Sequence, residues 1–118
     1  MDLTQLVHQE KDLLRLTAGQ PLFQVGDTAD RMYVLMSGEA EVQVRGRVVE
    51  KATVGAILGE MSLIDRSPRS ATVMARTDCS LLPIDERSFA FLVQRAPNFA
   101  LHVMRVMADR LRRADAWI

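Results

Sequence analysis

The order of apolar and polar residues changes period twice along the chain. Near the start, Leu3, Leu6 and Val7 recur at three- and four-residue steps, which predicts a short amphipathic helix over residues 4–11. From Leu13 the pattern shortens to strand-like segments at 13–16, 22–24, 31–36, 40–45, 47–52, 71–76 and 80–84. Between them stand Ala18-Gly19-Gln20-Pro21, Gly26-Asp27, Ser37-Gly38 and Arg45-Gly46, whose residue types suit tight turns. After Ile84 the helical period returns. Asp85 is suited to cap a helix from Glu86 to Arg95, and Pro97 suits the first turn of a second helix running toward Ala114. On that helix Ala100, Met104, Met107, Leu111, Ala114 and Ile118 form one apolar stripe, fit to pack on the strands or to meet a second copy.

Short strands with such punctuation predict a mainly β fold: an antiparallel jelly-roll β-barrel, or double-stranded β-helix, with a short N-terminal helix and two C-terminal helices. One domain over residues 1–118 is expected, with the barrel at about 13–84 and the C-terminal helices at about 86–115. A chain of 118 residues buries about 65% of its unfolded surface, enough for one core.

The richest chemistry lies in Leu58-Gly59-Glu60-Met61-Ser62-Leu63-Ile64-Asp65-Arg66-Ser67-Pro68-Arg69-Ser70-Ala71-Thr72-Val73. Gly59 lets backbone approach a ligand closely, and the residues after it open a helical turn whose free N–H groups favour an anion. Glu60 is an acceptor for a sugar hydroxyl. Arg69 follows a Ser-Pro turn, and its planar fork suits two phosphate oxygens at once.

This stretch resembles the phosphate-binding cassette of cyclic-nucleotide-binding domains. The resemblance continues through Gly26-Asp27, the run from Met32 to Gly38, and Gly55, and covers roughly residues 13–115. It implies that Gly59, Glu60 and Met61 supply backbone donors and the ribose acceptor, that Arg69 clamps the cyclic phosphate, and that Ser70 and Ala71 add a hydroxyl and an amide. Val42 and Val49 become candidate walls for the base, and Arg110 falls where activator-type relatives place an arginine near the pocket. In the family a threonine after the cassette arginine tends to favour guanine; Ser70 offers the hydroxyl without the methyl group. Ala114 and Asp115 fall where activator-type dimers meet the adenine amino group, and only Asp115 can accept from it. The implied ligand is cAMP, with cGMP as the alternative.

Composition changes the picture mainly by exclusion. Lys+Arg and Asp+Glu stand at 15 each, so no overall basic field draws nucleic acid. The only histidines, His8 and His102, fall in different helices, so no metal cofactor is expected. Ser62, Ser67 and Ser70 have no evident histidine partner, and the lone Cys79 sits in a predicted strand; binding without turnover is expected, and the chain is read as not an enzyme. With no signal peptide, no internal disulfide framework and no uncharged 18-residue window, a cytoplasmic location without a membrane span is expected. No helix-turn-helix follows Ile118, so no DNA-binding domain is expected; output would pass to a partner protein or an effector domain missing from this chain, and the stripe suits a homodimer. The alternative function is a ligand-free dimerisation or structural module.

Overall fold

The computed structural model describes residues 12–115. The helix expected over residues 4–11 lies outside them, as does Ile118. The described elements are, in order, β1 (Leu14–Leu16), β2 (Pro21–Phe23), β3 (Arg31–Ser37), β4 (Ala40–Val44), β5 (Arg47–Ala52), β6 (Ile57–Leu58), α1 (Glu60–Asp65), β7 (Thr72–Ala75), β8 (Cys79–Asp85), α2 (Glu86–Arg95) and α3 (Pro97–Asp115). The seven expected strands and both C-terminal helices form. β6 was not expected: two residues are too few to show alternation, and pairing of Tyr33 with Leu58 and Val34 with Ile57 defines the strand.

The strands pair antiparallel in two sheets of four, ordered β1-β8-β3-β6 and β2-β7-β4-β5. Leu35, Leu58 and Leu81 of the first sheet share a buried cluster with Ala40, Ala52, Val73 and Ala75 of the second. The architecture is therefore jelly-roll-like, although the two sheets stay open and do not join into a continuous ring. The other face of the first sheet carries Met32, Val34, Leu82 and Ile84, which pack with Leu63, Leu92, Phe99 and Val103 from the helices. Covering on both faces explains why β3 and β8 read as near-continuous apolar runs. Burial of each such side chain contributes about 1.5–3 kcal/mol.

Pro83 sits in β8 opposite Tyr33, where a missing N–H would ordinarily interrupt a central strand. The register of β1 with β8 ends at Leu81, so Pro83 lies where β8 has lost its neighbour on that side. At the β4–β5 hairpin, Arg45 (φ 53°) and Gly46 (φ 77°) form a two-residue loop with both φ positive, the combination that matches strand twist.

The Asp85 side chain accepts from Ser88 N at 2.8 Å and caps α2 as expected. The apolar stripe expected along α3 divides in two. Phe99 and Val103 are buried, with Val106 and Met107 packed beside them, whereas Met104 and Leu111 are 58% and 63% exposed. The second helix turn thus meets the core through Val103 and Met107, leaving Leu101, Met104 and Leu111 on its outer side.

Candidate functional site

A cavity of about 110 Å³ opens between the second sheet, the β6–α1 segment and α3. Phe23, Val42, Leu58, Val73, residues 59–62, residues 69–71 and Arg110 line it. Eight of the nine expected positions, Gly59, Glu60, Met61, Arg69, Ser70, Ala71, Val42 and Arg110, therefore meet here. Val49 does not line the cavity and is 52% exposed. A register shift pairs Val42 with Glu50 and Gln43 with Val48, leaving Val49 unpaired on the bulged strand.

The local sequence builds this concavity from the backbone upward. Gly59 ends β6 in the left-handed region (φ 77°, ψ 25°) and starts α1. A Cβ at this position would run into Arg69 Nη1 and approach Phe23 Cε2 to 3.2 Å, so position 59 has no room for a side chain. Arg66 closes α1, also left-handed, with its N–H on Ser62 O at 3.0 Å. The chain then folds back toward the β2–β3 loop. Gly26 N donates to Arg69 O at 2.8 Å and Arg69 N donates to Asp27 O at 2.9 Å. Asp27 Oδ2 in turn accepts from Gln24 N at 3.0 Å, and Thr72 Oγ1 from Val25 N at 3.0 Å. Gly26-Asp27 thus fixes the backbone of Arg69 across the sequence gap.

The two arginines of the cavity have opposite surroundings. Arg69 is 5% exposed, donates from Nη1 to Gly59 O at 3.1 Å, and lays its Cζ 4.0 Å from the Phe23 ring centroid. It makes no ion pair with any described residue, and burial lowers its pKa from the ordinary arginine value. Arg110 is matched twice. Its Nη1 lies 2.7 Å from Glu60 Oε2, while Nε and Nη2 reach Glu50 Oε1 and Oε2 at 3.2 and 2.8 Å. Nη2 also donates to Ile57 O at 2.7 Å, and Arg113 Nη2 joins Glu50 Oε1 at 2.8 Å. Burial pushes the Glu50 carboxyl up, but Arg110 and Arg113 outweigh it and hold the pKa below the usual carboxylate range. For Arg110, burial alone would lower the pKa, and the bonds to Glu50 and Glu60 raise it.

Glu60 is 5% exposed and already engaged by Arg110. Met61 is 44% exposed at the rim, and Ser70 is exposed. Sequence reasoning missed Phe23 and Glu50. Phe23 carries only a strand signal, and Glu50 comes opposite Val42 only through the bulge, since regular alternation from the Arg45-Gly46 turn places Val49 there. Larger hollows of about 350 and 400 Å³ lie beside α2; the second borders residues 63–66 of the cassette, but neither is lined by Gly59, Glu60, Arg69, Ser70 or Ala71. Among the described residues no group of three His, Cys, Asp or Glu is placed to hold a metal ion. No described helix is long and apolar enough to cross a membrane.

The family model described as "Cyclic nucleotide-binding domain" matches residues 13–96. The chain belongs to this family. It is 33% identical over 102 residues to the cyclic AMP receptor protein of Thermus thermophilus, a match covering 82% of this chain and 47% of that one. A cGMP-dependent protein kinase of Caenorhabditis elegans is 34% identical over 82 residues, covering 70% of this chain and 10% of the kinase. The solved catabolite activator protein of Thermus thermophilus superposes with a TM-score of 0.76 at 30% identity, over 97% of this chain and 59% of that one. The chain spans between a tenth and about half of the length of these two curated relatives. Related sequence and the same fold thus recur in proteins whose names describe different outputs, which places this chain among cyclic-nucleotide-binding regulatory modules.

Proposed function

We propose that this domain binds a cyclic nucleotide, cAMP in preference to cGMP, and passes occupancy to α3. One observation carries the proposal: Arg69 is buried at the wall of the cassette cavity and forms no ion pair with a described carboxylate, with only the more distant charges of Asp27 and Asp30 favouring it. A cyclic phosphate would supply that missing charge through the guanidinium fork. In this reading Glu60 accepts from the ribose hydroxyl, Gly59 and Met61 present backbone N–H groups, and Ser70 and Ala71 add a hydroxyl and an amide. Val42 walls the base, Phe23 and Val73 lie beside it, and Val49 takes no direct part. Arg110 links Glu60 to α3, so ligand at Glu60 changes what Arg110 holds. The domain performs no catalysis of its own, works in the cytoplasm and forms a dimer through Leu101, Met104 and Leu111, which α3 leaves exposed at three- and seven-residue steps.

A second reading, a ligand-free structural or dimerisation module, draws on one feature. The cavity's 110 Å³ is below the range of about 300–1,000 Å³ usual for small-molecule sites, and Glu60 is already paired. Calorimetric titration with cAMP and cGMP separates the two. Saturable binding of cAMP that Arg69→Ala weakens by about thirty-fold or more supports the first, and a flat response to both nucleotides supports the second. A tenfold or greater advantage for cGMP would reverse the ligand preference alone.

A further inference from the structure

We propose that Phe23, backed by Tyr33, is a positioning residue that holds Arg69 ready for the phosphate; this role rests on the function proposed above. Burying a guanidinium is costly unless another group compensates it, and a carboxylate is the usual solution. Here no described carboxylate makes an ion pair with the guanidinium; Asp27 and Asp30 favour its charge from farther away, and an aromatic face lies against it. Arg69 Cζ lies 4.0 Å from the Phe23 centroid and 5.8 Å from that of Tyr33. The two rings support one another, with centroids 6.2 Å apart and planes inclined at 36°.

The difference from a carboxylate is electrostatic. A π face attracts a cation through its quadrupole but carries no net charge, so it orients Arg69 without neutralising it or competing with an incoming anion. Arg110 shows the contrasting arrangement in the same cavity, with its charge answered by Glu50 and Glu60. An anion entering the cavity therefore meets one arginine already satisfied and one still unmatched.

Geometry adds direction to charge. The Phe23 ring holds Cζ close to its centre, and the bond from Nη1 to Gly59 O ties one end of the guanidinium to the β6–α1 turn. No described side-chain N or O atom is both sealed from solvent and unpartnered, so the remaining Arg69 donors retain some contact with solvent beside the cavity they line. Phe23 also abuts the glycine: a Cβ at Gly59 would come within 3.2 Å of Phe23 Cε2. One ring thus borders both the cation and the β6–α1 turn.

The test is a double-mutant cycle with Phe23→Leu and Arg69→Ala, with Phe23→Tyr as the conservative variant, read by calorimetric titration with cAMP up to millimolar concentration. Phe23→Leu should weaken binding by about two- to thirty-fold. Phe23→Tyr should stay near wild type, and Phe23→Leu should cost nothing further once Arg69 is alanine. Equal losses in both backgrounds, or unchanged affinity in Phe23→Leu, overturn this role and leave the proposed function standing. A wild-type protein that binds neither cAMP nor cGMP overturns the function and this role with it. Should Phe23→Leu fail to fold, the Arg69 Nε–H signal of the ligand-free wild type decides in NMR. A ring-shifted, protected resonance supports the platform, whereas a signal averaged like that of exposed Arg87 overturns it.

Discussion

Replacing Arg69 by alanine removes the one cavity-lining cation that, among the described residues, has no ion pair, and little else that the fold depends on. With the side chain gone, a bound cyclic phosphate would face Gly59 and α1 without a countercharge. Arg110 is not free to substitute, because Glu50, Glu60 and the Ile57 carbonyl already hold it. Truncating one partner of a desolvated charge pair costs about 2–5 kcal/mol, which is roughly thirty-fold to several-thousand-fold in affinity. The commitment of Arg110 places the expected loss in the upper half of that range. The fold loses one hydrogen bond to Gly59 O and the stacking on Phe23. Those losses, about 1.5–3 and 0.5–2 kcal/mol, are offset by relief from burying an uncompensated cation, so the net change in stability should stay below about 2 kcal/mol. Calorimetric titration with cAMP measures the first quantity and thermal unfolding the second. Arg69→Lys should regain only part of the affinity, since a point charge cannot make two parallel bonds. Wild-type affinity in a folded Arg69→Ala protein would refute the assignment of the cassette to phosphate.

Four further outcomes follow from the same contacts. Glu60→Ala should weaken cAMP while leaving its 2′-deoxy analogue nearly unchanged; equal losses for both ligands would assign Glu60 to the fold. Arg110→Ala leaves Glu50 and the buried Glu60 without their shared partner, and denaturant titration should show a loss of about 2–3 kcal/mol, below the full buried-pair cost because the Arg110 side chain keeps 24% exposure. The Glu50 pKa is depressed in the folded state, so its contribution is present above the unfolded value and lost as pH falls through the folded one. Stability of the wild type should therefore drop below about pH 4, and Glu50→Gln should flatten that acid limb; parallel curves would count against the network. Finally, amides of residues 100–114 should change hydrogen-exchange protection when cAMP saturates the protein, and identical protection in both states would make α3 a static part of the core.

What the sequence disclosed about this protein is uneven for physical reasons. Turn residues and the two changes of period located the strands and helices, because Gly46, Asp85 and Pro97 act through local backbone chemistry. The cassette was legible because its parts are close in sequence. Contacts made across the sheets were not. Phe23 reaches Arg69 only after the Gly26-Asp27 loop has clamped the cassette backbone, and Glu50 reaches Arg110 over a separation of 60 residues. Val49 was misplaced by a single bulge, since alternation counted through an unpaired residue selects the wrong face. The α3 stripe failed more subtly: three- and four-residue steps describe a stripe on a helix, but its outer and inner apolar rows lie too close in sequence for spacing alone to separate Met104 from Met107.

The two arginines also belong to structures with different freedom to move. Arg69 is tied at its backbone to the β2–β3 loop and at its side chain to Gly59 and Phe23, so its position is set by the sheets. Arg110 belongs to α3, and that helix is held to the cavity by ion pairs to Glu50 and Glu60 together with the packing of Phe99, Val103 and Met107. A nucleotide taking the ribose position must share Glu60 with Arg110, and a 110 Å³ cavity must widen to admit it. The sheet side is clamped by main-chain bonds; the α3 side is held by side-chain charges that a polar ligand can exchange. Occupancy is therefore expected to shift α3 while the cassette stays fixed, and the shift can be no larger than the ligand's difference in affinity between the two placements of that helix.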